Sequence, residues 1–196
     1  MSLFKISELN EQDNNILQFL LKEQLMDETL WRLLVQQFSE CRDSDDLGWR
    51  GEYWGKIMRG ACLILKHMAN DKLYMVLEKT VKDLLKCQDN EGRISTYMKN
   101  REFCGWDLWG RKYVNVGLES FLEICKDKTL SEAILTALRK QCDYIIRHIG
   151  NENEKIEITN TSNAWGGMNS CSILKSFVVG QHFLVHGCHR LLEGGD

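Results

Sequence analysis

The chain has 196 residues, 25 of them basic and 28 acidic, for a net charge of −3, and 43% belong to the hydrophobic set. That length fits one domain, and that composition excludes a disordered, collagen-like or disulfide-dense class. A slightly acidic balance gives no reason to expect nucleic acid as a partner, because such partners usually demand a basic excess. Proline is absent, where average usage of about 5% would give roughly ten. Proline breaks helices, so its absence fits a helix-rich chain.

Residues 1–15 are polar and lack the apolar stretch of a signal peptide. The eight cysteines contain no C-x-x-C pair, so they are read as reduced thiols in a cytoplasmic protein rather than as a zinc ribbon or disulfide frame. No apolar run reaches the ~18 residues a membrane span needs, so no membrane is expected. Ile16, Leu17, Leu20, Leu21 and Leu25 recur at helical spacing, followed by Leu30, Leu33, Leu34 and Phe38. Residues 40–46 are acidic. They resemble a calcium loop only superficially, because Leu47 fills a ligand position and Trp54 stands where a bidentate glutamate belongs. A solvated turn is expected there.

An internal repeat follows. Gly48-Trp49 recurs as Gly105-Trp106, and Gly60 recurs as Gly117, both 57 residues on. Asn70-Asp71-Lys72-Leu73 corresponds to Asp127-Lys128-Thr129-Leu130 at the same offset, with Val76, Leu77 and Val81 on Ala133, Ile134 and Leu138. A third copy begins near Trp165: Trp109, Leu118, Phe121 and Leu122 match Trp165, Leu174, Phe177 and Val178, each 56 apart. Fixed-period similarity marks supersecondary units that stack to bury a shared core. Each unit reads as two helices. The first runs from the tryptophan motif to about Lys66, and to about Lys126 in the second copy. The second runs from about Lys72 to Lys86, and from Leu130 to Ile149. Long loops at 88–105 and 150–163 join the units and fall on one face, the usual binding face of stacked helical pairs. The expected organisation is an N-terminal helical extension (1–46), three helical pairs (47–181) and an atypical tail (182–196). The expected fold class is all-α, tandem helical hairpins forming about half of an (α/α)6 toroid.

Aromatic and polar residues gather at the loop–helix junctions: 49–54, 88–97, 106–113 and 163–169. Five of the six tryptophans lie in these groups, Trp31 being the exception. Indole faces stack on sugar rings, and a few fixed polar groups orient a ligand in a mostly apolar cleft. The candidate cleft residues are Trp54, Gln88, Tyr97, Trp106, Asp107, Trp109, Tyr113, Asn163 and Trp165. Two structural alternatives stand beside this reading. The tryptophans can pack helix starts through indole N–H bonds, and Asp107 can cap the following helix.

Four motifs in order and spacing make these residues familiar: Trp49-Arg50-Gly51-Glu52-Tyr53-Trp54, Gln88-x-x-x-Gly92-x-Ile94-x-Thr96-Tyr97, Trp106-Asp107-Leu108-Trp109 and Asn163-x-Trp165-Gly166-Gly167-Met168. Over about residues 47–180 they resemble the N-terminal part of the catalytic domain of β-L-arabinofuranosidase-type glycoside hydrolases, family 127 and its relatives. The resemblance implies an (α/α)6 toroid followed by β-sandwich domains. It implies retaining hydrolysis with a cysteine nucleophile and a glutamate acid/base, and zinc held by a glutamate and cysteines. It also implies a carbohydrate ligand. The family's E-x-C motif and its later Cys-Cys pair lie beyond the third helical pair and have no counterpart here. Glu102-Phe103-Cys104 and Glu123-Ile124-Cys125 match E-x-C formally but sit in the wrong repeat. The expectation is therefore a truncated portion with cleft walls, no catalytic centre and no cofactor in this chain, the zinc ligands being expected downstream. Where well-studied members carry a sugar-binding histidine, this chain has Tyr113, a departure that bears on arabinose specificity.

Two other readings remain open. One is a non-catalytic helical repeat module that dimerises, as a homodimer completing the ring, or binds a partner. The other is a different α/α-toroid sugar enzyme, such as an epimerase or an unsaturated uronide hydrolase. His182, His186, Cys188 and His189 cluster near the C-terminus, where His182 and His186 share a helical face. A transition-metal site is conceivable there, but no acidic general base accompanies these residues and Gly187 weakens such a helix, so a tail unlike the family is the preferred reading.

Overall fold

The computed structural model describes residues 11–149. Seven α-helices appear there: α1 (Glu11–Leu20), α2 (Glu28–Glu40), α3 (Asp43–Asp46), α4 (Gly51–His67), α5 (Asp71–Leu85), α6 (Asp107–Leu122) and α7 (Lys128–His148). A π-helical turn, Leu21–Leu25, continues α1, and a 3-10 turn, Lys99–Arg101, lies in the long loop before α6. No strand occurs among the described residues, so the chain is all-α as its periodicity and lack of proline predict.

Local chemistry sets several helix starts. A helix leaves its first amide N–H groups without partners, and an Asp or Asn side chain just before it can accept them. Asp27 does so for the Thr29 amide at 2.8 Å, Asn70 for Leu73 at 2.9 Å, and Asp127 for Thr129 at 2.9 Å. Asn70 and Asp127 are the repeat-equivalent positions, so both second helices start by one device. Helix α6 stops at Leu122, short of the expected Lys126. There the amides of Ile124 and Cys125 turn to carbonyls three residues back, Phe121 and Leu122, which tightens the chain into the turn that Asp127 closes.

The repeat becomes visible as packing. Trp54, early in α4, donates its indole N–H to Thr80 Oγ1, late in α5, at 3.1 Å, so α4 and α5 form an antiparallel hairpin. Asn115 of α6 meets Gln141 of α7 at 2.9 Å in the same sense. The two first helices, α4 and α6, run parallel and side by side. Trp109 reaches Glu52 near their starts, and Lys66 reaches Glu123 near their ends; both pairs are 57 residues apart. Equivalent residues of successive units therefore face each other. Small residues permit the approach: a Cβ on Gly117 would lie 2.8 Å from Gly55 Cα and 2.8 Å from Trp54 Cζ3. Real Cβ atoms do not tolerate such distances, so any larger side chain forces the helices apart.

The main core lies between these layers. Trp54, Met58, Leu73, Leu77, Val81, Leu84, Val114, Leu118, Phe121 and Ile134 have no exposed surface. Burying each such side chain contributes about 1.5–3 kcal/mol. Leu21, Leu25, Trp31, Val35 and Phe38 join the same cluster, and the Trp31 indole donates to the Leu25 carbonyl at 2.8 Å. Residues 21–38 thus pack on the helical pairs through a shared core. A second, smaller cluster holds Phe103, Tyr144 and Ile145.

One expectation is overturned. Residues 43–46 are a short helix, and Asp43 and Ser44 are buried rather than solvated. Asp43 is drawn in because it has three donors to satisfy it, as described below. The third repeat unit, the loop 150–163 and the histidine-rich tail lie outside the described residues.

Candidate functional site

The loop between α5 and α6 is long, yet much of it is inside the protein: residues 92–97 are all buried. Buried backbone groups need partners, and named side chains supply them. Gln88 donates to the carbonyls of Gly92 and Ala137, each at 2.9 Å. The Ile94 amide donates to Gln141 Oε1 at 2.7 Å. Gly92 sits at φ +99°, and a Cβ there would come 2.6 Å from the Lys140 carbonyl oxygen, so this turn requires glycine. Asp43 anchors the other side. It accepts from Thr96 Oγ1 at 2.6 Å, Arg50 Nη1 at 2.7 Å and, more weakly, the Gly51 amide at 3.3 Å. Ser44 Oγ accepts from the Met98 amide at 2.6 Å.

Tyr97 ties the loop to both tryptophan motifs. Its hydroxyl donates to the Gly48 carbonyl at 2.5 Å and accepts from the Trp106 amide at 3.2 Å. Its phenol is pushed above the ordinary tyrosine range by burial, and the Trp106 amide opposes that rise.

A charged centre lies beneath. Glu102 accepts from Arg93 Nε at 2.8 Å, Arg111 Nη2 at 2.7 Å and the Tyr144 hydroxyl at 2.5 Å. Burial and the bond to Glu102 both raise the Tyr144 phenol, so it stays a donor. Asp107, at the first turn of α6, accepts from the Phe103 amide at 2.9 Å, Arg111 Nε at 3.0 Å and the Ser95 hydroxyl. Arg111 is 1% exposed and stacks over the Phe103 ring at 4.7 Å. Phe103 itself holds a left-handed φ of +59°, a strained state for a bulky residue. Its amide bond to Asp107 and its ring contacts with Arg111 and Tyr144 offset that strain.

Above the helix starts, aromatic rings form a ridge. Trp49 and Trp106, repeat-equivalent, meet edge-on at 6.2 Å between centroids. Trp106 meets Trp109 at 6.1 Å, and Trp109 meets Tyr113 at 5.3 Å. Trp49 is 48% exposed and Tyr53 41% exposed, and the Trp49 indole donates to the Tyr53 hydroxyl at 2.8 Å. The Trp109 indole donates to Glu52, which also pairs with Lys56 Nζ at 2.8 Å. Lys112 Nζ lies 3.5 Å from the Trp109 ring centroid, so that indole face is covered.

The candidate residues thus divide. Trp106, Trp109 and Tyr113 come together in the half-buried ridge. Trp54 has no exposed surface and packs the core, while Gln88, Tyr97 and Asp107 hold the loop and the start of α6. Their side chains are committed to the protein's own backbone and to neighbouring side chains. Asn163 and Trp165 lie outside the described residues. Sequence reasoning placed Trp49, Tyr53, Glu52 and Lys112 in the aromatic groups without selecting them. It missed Lys56, whose signal is its position one helical turn after Glu52. Glu102 and Cys104 of the formal E-x-C match differ in setting: the carboxylate is enclosed by three donors, and the thiol is on an exposed residue.

None of the six described cysteines is in a disulfide. Among the described residues no three His, Cys, Asp or Glu side chains gather to hold a metal, so those residues do not fit a zinc centre. No described helix is long and apolar enough to cross a membrane. No protein-family model matches the chain, and no curated protein or solved structure is significantly similar to it.

Proposed function

We propose that the chain is part of an α/α-toroid carbohydrate-active protein of the glycoside hydrolase type, and that the aromatic ridge is its sugar-binding face. One observation carries the reading: Trp49, Tyr53, Trp106, Trp109 and Tyr113 gather, partly open to solvent, where two parallel helices start side by side. A sugar presents apolar C–H faces that stack on such rings, and the Lys56 ammonium beside them, held by Glu52, offers hydrogen bonds to hydroxyls. The parallel order of α4 and α6 is the order of inner helices in a toroid, which supports that extension of the fold.

The described residues contribute binding rather than bond cleavage. Retaining hydrolysis needs a nucleophile and an acid/base facing each other across the glycosidic bond. The carboxylates of Glu102 and Asp107 are instead saturated by arginine, amide and hydroxyl donors. The test is a titration of the full chain with neutral mono- and oligosaccharides, arabinosides included, followed by tryptophan fluorescence. Saturable quenching that Trp106→Ala abolishes is the expected result. Unchanged fluorescence across the panel, in a protein with a native circular dichroism spectrum, overturns the proposal.

A further inference from the structure

The ridge carries an excess of positive charge. Lys56 Nζ lies 4.6 Å from the Tyr113 ring centroid and 5.9 Å from that of Trp109. Lys112 Nζ lies 4.4 Å from Tyr113 and 3.5 Å from Trp109. Two ammonium groups from neighbouring helices, α4 and α6, therefore share one pair of rings. The carboxylate that serves them is Glu52, bonded to Lys56 and to the Trp109 indole. Lys112 has no ion pair of its own among the described residues, so among them one positive charge is left over.

That charge sits where it is poorly solvated. Burial lowers the affinity of Lys112 for its proton, and Lys56 lowers it further, with Glu52 acting the other way. A chain of net charge −3 has no general attraction for anions, so this excess is local. Ring quadrupoles stabilise an ammonium only partly; a bound anion would stabilise it more, because a charge-assisted bond at a partly dry site is among the stronger polar contacts.

The surrounding geometry sets the kind of anion. Lys112 covers a face of Trp109, so stacking falls to Trp106 and the exposed Trp49, which continue the ridge in steps of 6.1 and 6.2 Å. A ligand that fits both features has an apolar ring face and one acidic group at its edge. A single carboxylate matches a single excess charge. A phosphate dianion overcompensates it and meets the Glu52 carboxylate. Resting on the sugar-binding reading above, we infer that the ridge selects an acidic saccharide, a uronate whose ring lies on Trp106 and Trp49 and whose carboxylate bridges Lys56 and Lys112.

The experiment compares matched pairs, oligogalacturonate against the corresponding galactose oligomer and glucuronate against glucose, by calorimetric titration of the full chain at low and high salt. The uronate is expected to bind roughly tenfold more tightly than its neutral partner, the size of one charge-assisted contact, and salt should erode the difference. Lys112→Gln should abolish the preference, and Lys112→Arg should retain it. Lys56→Gln serves as the second variant should Lys112→Gln fail to fold. Equal binding of acid and neutral sugars, or a preference that survives both Gln variants, overturns this inference and leaves the sugar-binding reading standing. Absence of binding by every saccharide overturns both.

Discussion

The two helical pairs share a ground plan and differ in what fills it. At four buried positions related by the 57-residue offset, the first pair has Trp54, Met58, Thr80 and Leu84. The second has Arg111, Asn115, Ala137 and Gln141, equally buried. The first pair is an apolar core with one indole–hydroxyl bond. The second holds a guanidinium and two amides. The cause is the loop of residues 86–106, which enters the second pair and brings unpaired backbone with it. Gln141 accepts its Ile94 amide, the Ala137 carbonyl accepts from Gln88, and Arg111 links Glu102 to Asp107. An inserted loop thus converts an apolar layer into a polar one, because buried N–H and C=O groups must be matched.

That contrast can be broken from either side. The largest loss is expected from Glu102→Ala, which strips one carboxylate from Arg93, Arg111 and Tyr144 and leaves buried guanidinium charge without its main counterion. The expected cost is about 3–5 kcal/mol in urea denaturation. In the apolar pair, Met58→Ala should cost about 2–5 kcal/mol through a cavity with no polar consequence. Gln141→Leu restores the first pair's residue at the equivalent position. It should nonetheless destabilise by about 1–3 kcal/mol, because the Ile94 amide loses its acceptor; a neutral or stabilising result would refute the account of the loop. Asn70→Ala and Asp127→Ala should each cost about 1 kcal/mol, nearly alike, since both remove the same cap.

The smallest effects concern protonation. Partial burial pushes the Asp89 carboxyl up, but the amides of Arg93 and Glu91, with Lys99, hold it below the ordinary carboxylate range. A lowered folded value means stability that is present above the unfolded value, near 3.8, and lost as pH falls through the folded one. Asp89→Asn should remove that part of the acid dependence of the denaturation midpoint. Burial also pushes the thiols of Cys62 and Cys142 up to about 12. One belongs to each pair, so both should resist alkylation in the native protein, while exposed Cys104 reacts before them.

Much of the fold was legible along the chain. Leu73, Leu77 and Val81 recur as Leu130, Ile134 and Leu138, all buried, because helical periodicity and a fixed repeat are local statements about one face. The repeat also paired Asn70 with Asp127, though only the structure shows that both cap a helix. The site was legible only in part. Trp106, just before α6, and Trp109 and Tyr113 within it lie close in sequence, and they do meet. Trp54 lies in an aromatic motif like theirs but packs in the core, and Asp43 shares the look of a solvated turn but is buried. A residue type does not reveal which side of a helix start faces its neighbours.

The sequence by itself determined the long helices α4 to α7, their pairing and their period, since these follow from apolar spacing, the repeat and the absence of proline. Only the tertiary structure decided that α4 and α6 lie parallel at glycine contact. It also decided that a loop fills the second pair with buried charge and that two lysines 56 residues apart in the chain share the Trp109 and Tyr113 rings. These are long-range juxtapositions, set by how faces meet across the molecule, and neither composition nor local spacing carries that information.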